Sequence, residues 1–209
     1  MMIMLNSDTP KANKIVIPIK KRIFIHVSGG ADSSLLLYLT AKKVQGQSIV
    51  IDCFGLHKSG WMRRGINNII NYVARKFPDV TFNKILRPYL HSVGTEMWKH
   101  KLEIIDNFYK KELNLEQDDI SFLLGLTKVY EGLDYPNKDL QNRQGKDWVG
   151  LCYLPFGRVT KDTVSEIYDE LGLDDLFKLT HSCTYISFGQ GHCGECYYCK
   201  ERKLAFGKL

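Results

Sequence analysis

The sequence predicts an α/β protein: a five-stranded parallel sheet with helices on both faces, followed by a short zinc-binding segment. Three observations lead to this prediction. Five short runs rich in β-branched and aromatic residues alternate with segments of helical spacing. A loop of glycine and serine directly follows the first run, and four of the six cysteines lie in the last 27 residues.

The predicted strands share a compact apolar composition; they are Arg22–Val27, Ser48–Phe54, Val80–Leu86, Ile120–Leu126 and Trp148–Leu154. Apolar residues recur at helical spacing over 66–77, 98–109 and 164–171, and a further apolar helix is expected from Leu35. Strands that alternate with helices form βαβ units, so we expect a Rossmann-like parallel sheet. In such sheets ligands bind beyond the carboxyl ends of the strands.

We divide the chain into three predicted parts. Residues 1–20 form an N-terminal extension, residues 21–178 the α/β domain, and residues 179–209 a C-terminal zinc-binding module. Within the extension, Pro18 interrupts an alternating apolar segment, which predicts an extended arm or an edge strand.

Composition and the pattern of apolar residues argue against a membrane-spanning or secreted protein. The 209 residues are 44% hydrophobic, and apolar stretches such as Leu35–Leu39, which no other stretch exceeds in length, are far shorter than the ~20 residues of a membrane helix. The first residues lack a basic start and an apolar core of the secretory kind, so we expect a soluble, cytoplasmic protein. The net charge of +6 suits anionic partners, but its even spread along the chain does not choose among them.

The loop Ser28–Ser34 has the sequence SGGADSS and stands between a predicted strand and a predicted helix. Two glycines allow a sharp turn that brings successive backbone N–H groups toward one ligand. Ser33 and Ser34 stand at the start of the helix, where free N–H groups and the helix dipole favour an anion. The loop therefore predicts a phosphate site, although it does not match the GxxxxGK[ST] pattern.

The cysteines at the carboxyl end have the spacing C-x9-C-x2-C-x2-C; they are Cys183, Cys193, Cys196 and Cys199. Four thiolates from one short segment predict a closed, structural tetrahedral zinc site. An iron–sulfur cluster uses the same ligands, and buried free thiols are a further alternative. Cys53 and Cys152 fall inside predicted strands, where we expect them to be core thiols.

The SGGADSS loop resembles the pyrophosphate-binding loop of the PP-loop (N-type) ATP pyrophosphatases, which have the adenine nucleotide alpha-hydrolase-like fold. This resemblance implies cleavage of ATP with transfer of AMP to a substrate oxygen. It also implies that six residues hold the phosphates and their magnesium ion: Ser28, Gly29, Gly30, Asp32, Ser33 and Ser34.

The carboxyl end narrows the resemblance to one family. The sequence CGECYYCKERKLAF, from Cys193 to Phe206, resembles the ending of the 7-cyano-7-deazaguanine synthase (QueC) family, with Cys183 in the place of its first zinc ligand. The Leu154–Pro155 pair, Lys161 and the LGL sequence at 171–173 resemble the segment that precedes the zinc site in that family.

Weaker matches lie in the middle of the chain. Gly125 resembles the glycine of a family turn, Tyr135–Pro136 the start of its YPDCR motif, and Gly55 with His57 its loop after the second strand. The resemblance implies that Gly55 and Gly125 adjoin ATP, that Tyr135 and Pro136 contact the substrate, and that Asp32 and Lys161 are catalytic.

The resemblance further implies an ATP-dependent carbon–nitrogen ligase of queuosine-type biosynthesis. Its substrates are ATP with magnesium, a 7-deazaguanine carboxylate and ammonia; one structural zinc ion is bound per chain, and a homodimer is expected. No membrane or nucleic-acid partner is expected on this reading.

Two alternatives stay open: the segment Tyr135–Asp139, with the sequence YPNKD where the family has YPDCR, leaves room for a different substrate, and the basic net charge leaves room for a nucleic-acid partner. The first is a PP-loop enzyme that adenylates a different substrate, such as tRNA or another carboxylate. The second is a non-enzymatic zinc-containing module that binds nucleic acid, with Tyr197 and Tyr198 stacking on bases.

Overall fold

The computed structural model describes residues 11–57, 59–88, 119–130, 132–133, 145–149, 152–184 and 190–209. Six strands form one sheet: β1 (Arg22–His26), β2 (Val50–His57), β3 (Thr81–Pro88), β4 (Ile120–Leu124), β5 (Trp148–Val149) and β6 (Cys152–Tyr153). Their order is β3-β2-β1-β4-β6-β5. All neighbours are parallel except β5 and β6.

The predicted α/β fold with five parallel strands is confirmed, with one correction at the last strand. The run predicted as one strand, Trp148–Leu154, contains two short strands that pair antiparallel with each other. A backbone hydrogen bond from the Leu154 N–H to the Asp147 carbonyl at 2.7 Å holds the two arms together. Only β6 continues the parallel sheet, and β5 is an added antiparallel edge strand.

Five helices accompany the sheet in the described residues: α1 (Ala31–Val44), α2 (Gly60–Lys76), α3 (Lys161–Glu170), α4 (Asp174–Lys178) and α5 (Tyr197–Phe206). The predicted helices over 66–77 and 164–171 correspond to α2 and α3, and the helix expected from Leu35 begins earlier, at Ala31. The predicted helix over 98–109 lies outside the described residues. No helix in the described part of the chain is long and apolar enough to cross a bilayer.

The sheet separates two buried apolar clusters. On one face α1 and α2 pack against alternate residues of the central strands, including Ile23, Ile25, Ile51 and Leu123, all fully buried. On the other face the rings of Phe24, Phe54 and Phe122 lie together, with centroid separations of 5.3 and 5.7 Å from Phe24. Because both faces are buried, these strands are apolar throughout rather than alternating.

The described part of the N-terminal extension packs onto the α/β core. A short 3-10 helix (Ala12–Lys14) precedes an extended segment that belongs to no strand, so the edge-strand alternative is not realised. Ala12, Ile15 and Ile17 are at most 1% exposed. The Lys43 ammonium donates to the Ile17 carbonyl at 3.0 Å and attaches this segment to α1.

The C-terminal helix α5 also packs onto the α/β core. The Phe206 ring lies against Phe177 and Tyr168, with centroids 4.4 and 5.7 Å away. The Tyr168 hydroxyl donates to the Ala31 carbonyl at 2.9 Å, and so links this aromatic cluster to the start of α1. The C-terminal end of α5 is thereby linked to the first turn of α1.

The strand order reverses between β1 and β4. The chain runs from β1 outward through β2 and β3, and then returns to place β4 on the other side of β1. Such a reversal opens a crevice at the carboxyl ends of the two strands, where ligands of open α/β sheets bind. Here the crevice is bordered by the loop Ser28–Ser34 after β1 and by Gly125 after β4.

Candidate active site at the first strand–helix loop

The loop Ser28–Ser34 turns sharply from β1 into α1. Gly29 has a φ angle of 92°, a left-handed conformation that strongly favours glycine. Gly30 is the N-cap of α1, and within the described part of the chain no side chain caps the first turn of the helix. The free N–H groups of that turn and the positive end of the helix dipole therefore remain for an anion.

The loop's serine hydroxyls hold its shape. The Ser28 N–H donates to Ser33 Oγ at 3.2 Å, and the Ser33 hydroxyl donates to the Gly30 carbonyl at 3.2 Å. The Ser34 hydroxyl donates to the same carbonyl at 2.8 Å. Ser33 and Ser34 are buried, whereas Ser28 is exposed. Ser28 Oγ lies 3.0 Å from Ser33 Oγ and accepts from the Gly30 N–H at 3.4 Å, so the hydroxyls of all three serines brace the turn.

Gly125 lies against the backbone of this loop. A Cβ atom at position 125 would stand 2.8 Å from the backbone nitrogen and the Cα of Ser33, and 2.9 Å from the carbonyl carbon of Asp32. These are backbone atoms of a helix turn, so they cannot move aside as a flexible side chain can. Gly125 therefore allows β4 to approach the first turn of α1.

We expect Gly125→Ala to destabilise the protein by about 2 kcal/mol and to displace the first turn of α1, because overpacking against a fixed backbone costs this much. Gly60→Ala is the matched control, since a Cβ there has no heavy atom within 4 Å. Denaturant unfolding of both variants measures the effect. Equal stability of the two variants would contradict the close approach.

Beside the loop, Lys161 lies between two carboxylates. Its Nζ is 3.0 Å from Asp32 Oδ2 and 2.7 Å from Glu201 Oε2. The three side chains are 8%, 15% and 5% exposed. Lys161 is the first residue of α3, Asp32 is in the first turn of α1 and Glu201 is on α5, so three separate elements meet here. Asp32 and Lys161, predicted as catalytic from the sequence, are thus in direct contact.

Burial and the neighbouring charges shift the pKa values of Lys161 and Asp32 in opposite directions. Burial by itself lowers the pKa of Lys161, but the carboxylates of Asp32 and Glu201 outweigh burial and raise that pKa above its ordinary value. Burial raises the pKa of Asp32, and the Lys161 ammonium opposes this shift. Asp32 Oδ1 is buried and has no hydrogen-bond partner among the described residues. An anionic oxygen without a donor is costly to bury, so it points to a cation or a donor that arrives with a ligand.

Sequence reasoning did not identify Glu201 or Arg202 as members of the site. Arg202 is 2% exposed, and its guanidinium donates to Thr180 Oγ1 at 2.8 Å, to Ser182 Oγ at 3.3 Å and to the Phe177 carbonyl at 3.3 Å. Burial lowers the pKa of Arg202 to about 10. The sequence did contain a signal for Arg202, because this arginine is part of the CGECYYCKERKLAF segment that resembles the family ending.

Arg202 fixes the segment that touches the loop Ser28–Ser34. The His181 N–H donates to the Gly29 carbonyl at 2.8 Å, directly between two residues that Arg202 binds, Thr180 and Ser182. The His181 and His192 rings stack with centroids 4.8 Å apart, and His192 Nε2 accepts from the Ser182 N–H at 3.3 Å. The two histidines therefore support the backbone around the cysteine cluster.

The four predicted cysteines come together in one cluster. Their Sγ atoms all lie within 4.8 Å of one another, and those of Cys193 and Cys199 are 3.9 Å apart. Four sulfurs at ~2.3 Å from a tetrahedral ion lie about 3.8 Å from each other, so the spacing fits a metal ion. The Cys196 N–H donates to Cys193 Sγ at 3.3 Å, the kind of bond that stabilises a ligating thiolate. The cluster can hold a metal ion through all four thiolates.

The other predicted site residues have different outcomes. Gly55 lies inside β2, which extends to His57, and not in a loop after the strand. A Cβ there would stand 2.8 Å from Leu86 Cδ2, so the absence of a side chain serves packing against β3. Tyr135 and Pro136, predicted to contact the substrate, lie outside the described residues.

Comparison with known proteins gives structural matches alone. No family model matches the chain, and no curated protein matches it significantly. An NH3-dependent NAD synthetase from Campylobacter jejuni is 13% identical, with 77% of this chain and 69% of that chain covered and a TM-score of 0.48.

Two further solved structures match over most of the chain. The U34-tRNA thiolase NcsA from Methanococcus maripaludis, with its [4Fe-4S] cluster, is 14% identical over 92% of this chain and 72% of that chain, with a TM-score of 0.47. An NMN synthetase from Francisella tularensis is 13% identical over 91% of this chain and 79% of that chain, also with a TM-score of 0.47. Identities and TM-scores this low indicate neither the substrate nor the activity of this chain.

Proposed function

We propose that this protein is an ATP-dependent ligase of the PP-loop ATP pyrophosphatase class, similar to 7-cyano-7-deazaguanine synthase. The observation that carries the proposal is the pairing of Asp32 with Lys161 beside an uncapped helix start. The SGGADSS sequence of the loop and the four-cysteine ending, which the QueC family shares, support it from the two ends of the chain.

In the proposed reaction a substrate carboxylate oxygen attacks the α-phosphorus of ATP, and pyrophosphate leaves. Ammonia then attacks the activated carbonyl carbon, AMP leaves and an amide forms. A second adenylation, on the amide oxygen, followed by loss of AMP gives the nitrile. Activation is needed because a carboxylate is a poor electrophile.

The residues of this chain position and neutralise the phosphates. The N–H groups of the Ser28–Ser34 loop bind the pyrophosphate portion of ATP, and Lys161 balances its negative charge. Asp32, through its unpartnered Oδ1, holds the magnesium ion that accompanies ATP. The fourfold cysteine cluster holds one structural zinc ion, because its closed ligand set leaves no position for a reacting water.

The substrate is tested by exchange of labelled pyrophosphate into ATP. We expect exchange that requires 7-carboxy-7-deazaguanine and does not occur with tRNA or with ATP alone. Exchange that depends on tRNA would instead establish the alternative substrate within the same class. Absence of exchange with every carboxylate, combined with absence of ATP binding, would overturn the proposed function.

A further inference from the structure

Lys161 connects the loop Ser28–Ser34 to the cysteine cluster. This loop is called the phosphate loop here, because the proposed function places the phosphates of ATP on it. Lys161 has two buried carboxylate partners, and only one of them, Asp32, comes from the phosphate loop. The other, Glu201, is on α5, whose N-cap is Cys196 and whose first turn contains Cys199. Glu201 is 4% exposed and Cys199 fully buried, so this helix turn has little freedom to shift.

Both carboxylate oxygens of Glu201 are engaged. Oε2 accepts from Lys161 at 2.7 Å, and Oε1 accepts from the Tyr197 hydroxyl at 3.1 Å. Tyr197 directly follows Cys196, so the orientation of the Glu201 carboxylate depends on the turn that the cysteines hold. A metal ion bound by Cys196 and Cys199 therefore fixes the position from which Glu201 reaches Lys161.

The charges at the site show what this second partner does. Lys161 and its two carboxylate partners together carry one net negative charge, while the Arg202 guanidinium acts on Asp32 from outside these ion pairs. Among the described residues, Asp32 Oδ1 has no donor. Without the charge of Glu201, the Lys161 ammonium would be balanced by Asp32 alone. The negative charge of Asp32 would then be compensated by the ion pair with Lys161. Asp32 would be a weaker ligand for a divalent cation as a result.

We propose that Glu201 is a positioning residue, which holds Lys161 between two carboxylates so that Asp32 stays available to magnesium and which couples the cysteine metal site to ATP binding. This inference rests on the proposed function, because it assigns magnesium and ATP to the loop beside Asp32. Glu201 itself contacts neither the phosphates nor the cation.

The test uses Glu201→Gln, which keeps the shape of the side chain and removes its charge. Glu195→Gln is the matched control, since Glu195 lies in the same segment and is exposed. ATP binding is titrated calorimetrically across a range of magnesium concentrations. For Glu201→Gln we expect the magnesium concentration at half-saturation to rise about 10-fold, as for the loss of one charged hydrogen bond. For Glu195→Gln we expect a change of less than about 2-fold.

A magnesium titration separates positioning from simple structural damage. We expect saturating magnesium to restore most of the ATP affinity of Glu201→Gln, whereas a damaged loop would bind ATP weakly at every magnesium concentration. Stripping the metal with a chelator should shift the magnesium dependence of the wild type, and should add little in Glu201→Gln. Equal shifts on chelation in both proteins, or a Glu201→Gln protein that matches Glu195→Gln, would overturn the proposal.

Loss of folding is covered by a second pair of variants. If Glu201→Gln loses its metal or unfolds, Lys161→Met is compared with the double variant Lys161→Met/Glu201→Gln, which removes both partners of the buried pair. The single variant Lys161→Met and the double variant should have the same magnesium concentration at half-saturation of ATP binding. A higher value in the double variant would contradict the proposal. Failure of the wild type to bind ATP at all would instead reject the proposed function, and this inference with it.

Discussion

Replacing Asp32 by asparagine is expected to lower ATP turnover by at least about 100-fold, because in the proposed function its charge binds the cation and orients the lysine. Asn keeps the size of the side chain, and its amide oxygen can still accept from the Lys161 ammonium. Lys161 also keeps its 2.7 Å contact with Glu201, so the first turn of α1 should stay folded. Steady-state turnover and the thermal unfolding midpoint of the variant check both parts of this prediction.

Asp169→Asn is the control for Asp32→Asn. Asp169 is exposed near the end of α3, away from the first turn of that helix where Lys161 lies, so the same charge change there should leave turnover unchanged. Turnover of Asp32→Asn close to that of Asp169→Asn would exclude the loop as the ATP site. Unfolding of Asp32→Asn would show that the ion pair is chiefly structural.

The second large effect is expected at the cysteine cluster. The wild type should carry about one zinc ion per chain, and Cys196→Ala should lose nearly all of it, since three thiolates bind a structural zinc ion far less tightly than four. Structural zinc contributes on the order of 10 kcal/mol in small isolated modules. Here the loss should be smaller and confined to residues after about 179, because the α/β core buries its own apolar surface.

Cys152→Ala is the control for Cys196→Ala. Cys152 is a buried thiol of β6, so its removal should lower stability without removing metal. Elemental analysis and amide hydrogen exchange along α5 measure the two effects, and zinc affinity should fall as pH falls because thiolates are the ligands. Iron with visible absorption, or disulfides among these cysteines in fresh protein, would contradict the zinc assignment.

The sequence predicted the elements whose burial follows from local pattern. The strands β1 to β4 lie within the predicted apolar runs or extend them by up to three residues, because strands buried on both faces need continuous apolar sequence. The run Trp148–Leu154 was predicted as one strand and contains two. Both short strands are apolar, so composition does not show where the chain reverses between them.

The sharp turn at Ser28–Ser34 and the cysteine cluster could also be predicted, since each is a short segment whose characteristic residues stand close together in the sequence. The partnership of Lys161 and Glu201 could not, because 40 residues separate them and a charged residue on an amphipathic helix usually faces solvent. Only the packing of α5 against α3 buries both side chains and makes them partners. The same reason explains why Arg202 was not identified as a buried residue.

The most direct test of ATP pyrophosphatase chemistry is the identity of the nucleotide that the enzyme releases. Purified protein is incubated with magnesium, ATP labelled in the α-phosphate, ammonia and 7-carboxy-7-deazaguanine, and the products are separated by chromatography. Cleavage between the α- and β-phosphates, with AMP and pyrophosphate released in equal amounts, is the expected result. Release of ADP and inorganic phosphate would contradict ATP pyrophosphatase chemistry. ATP left intact by a protein that carries its metal, both with this carboxylate and with tRNA in its place, would contradict it as well.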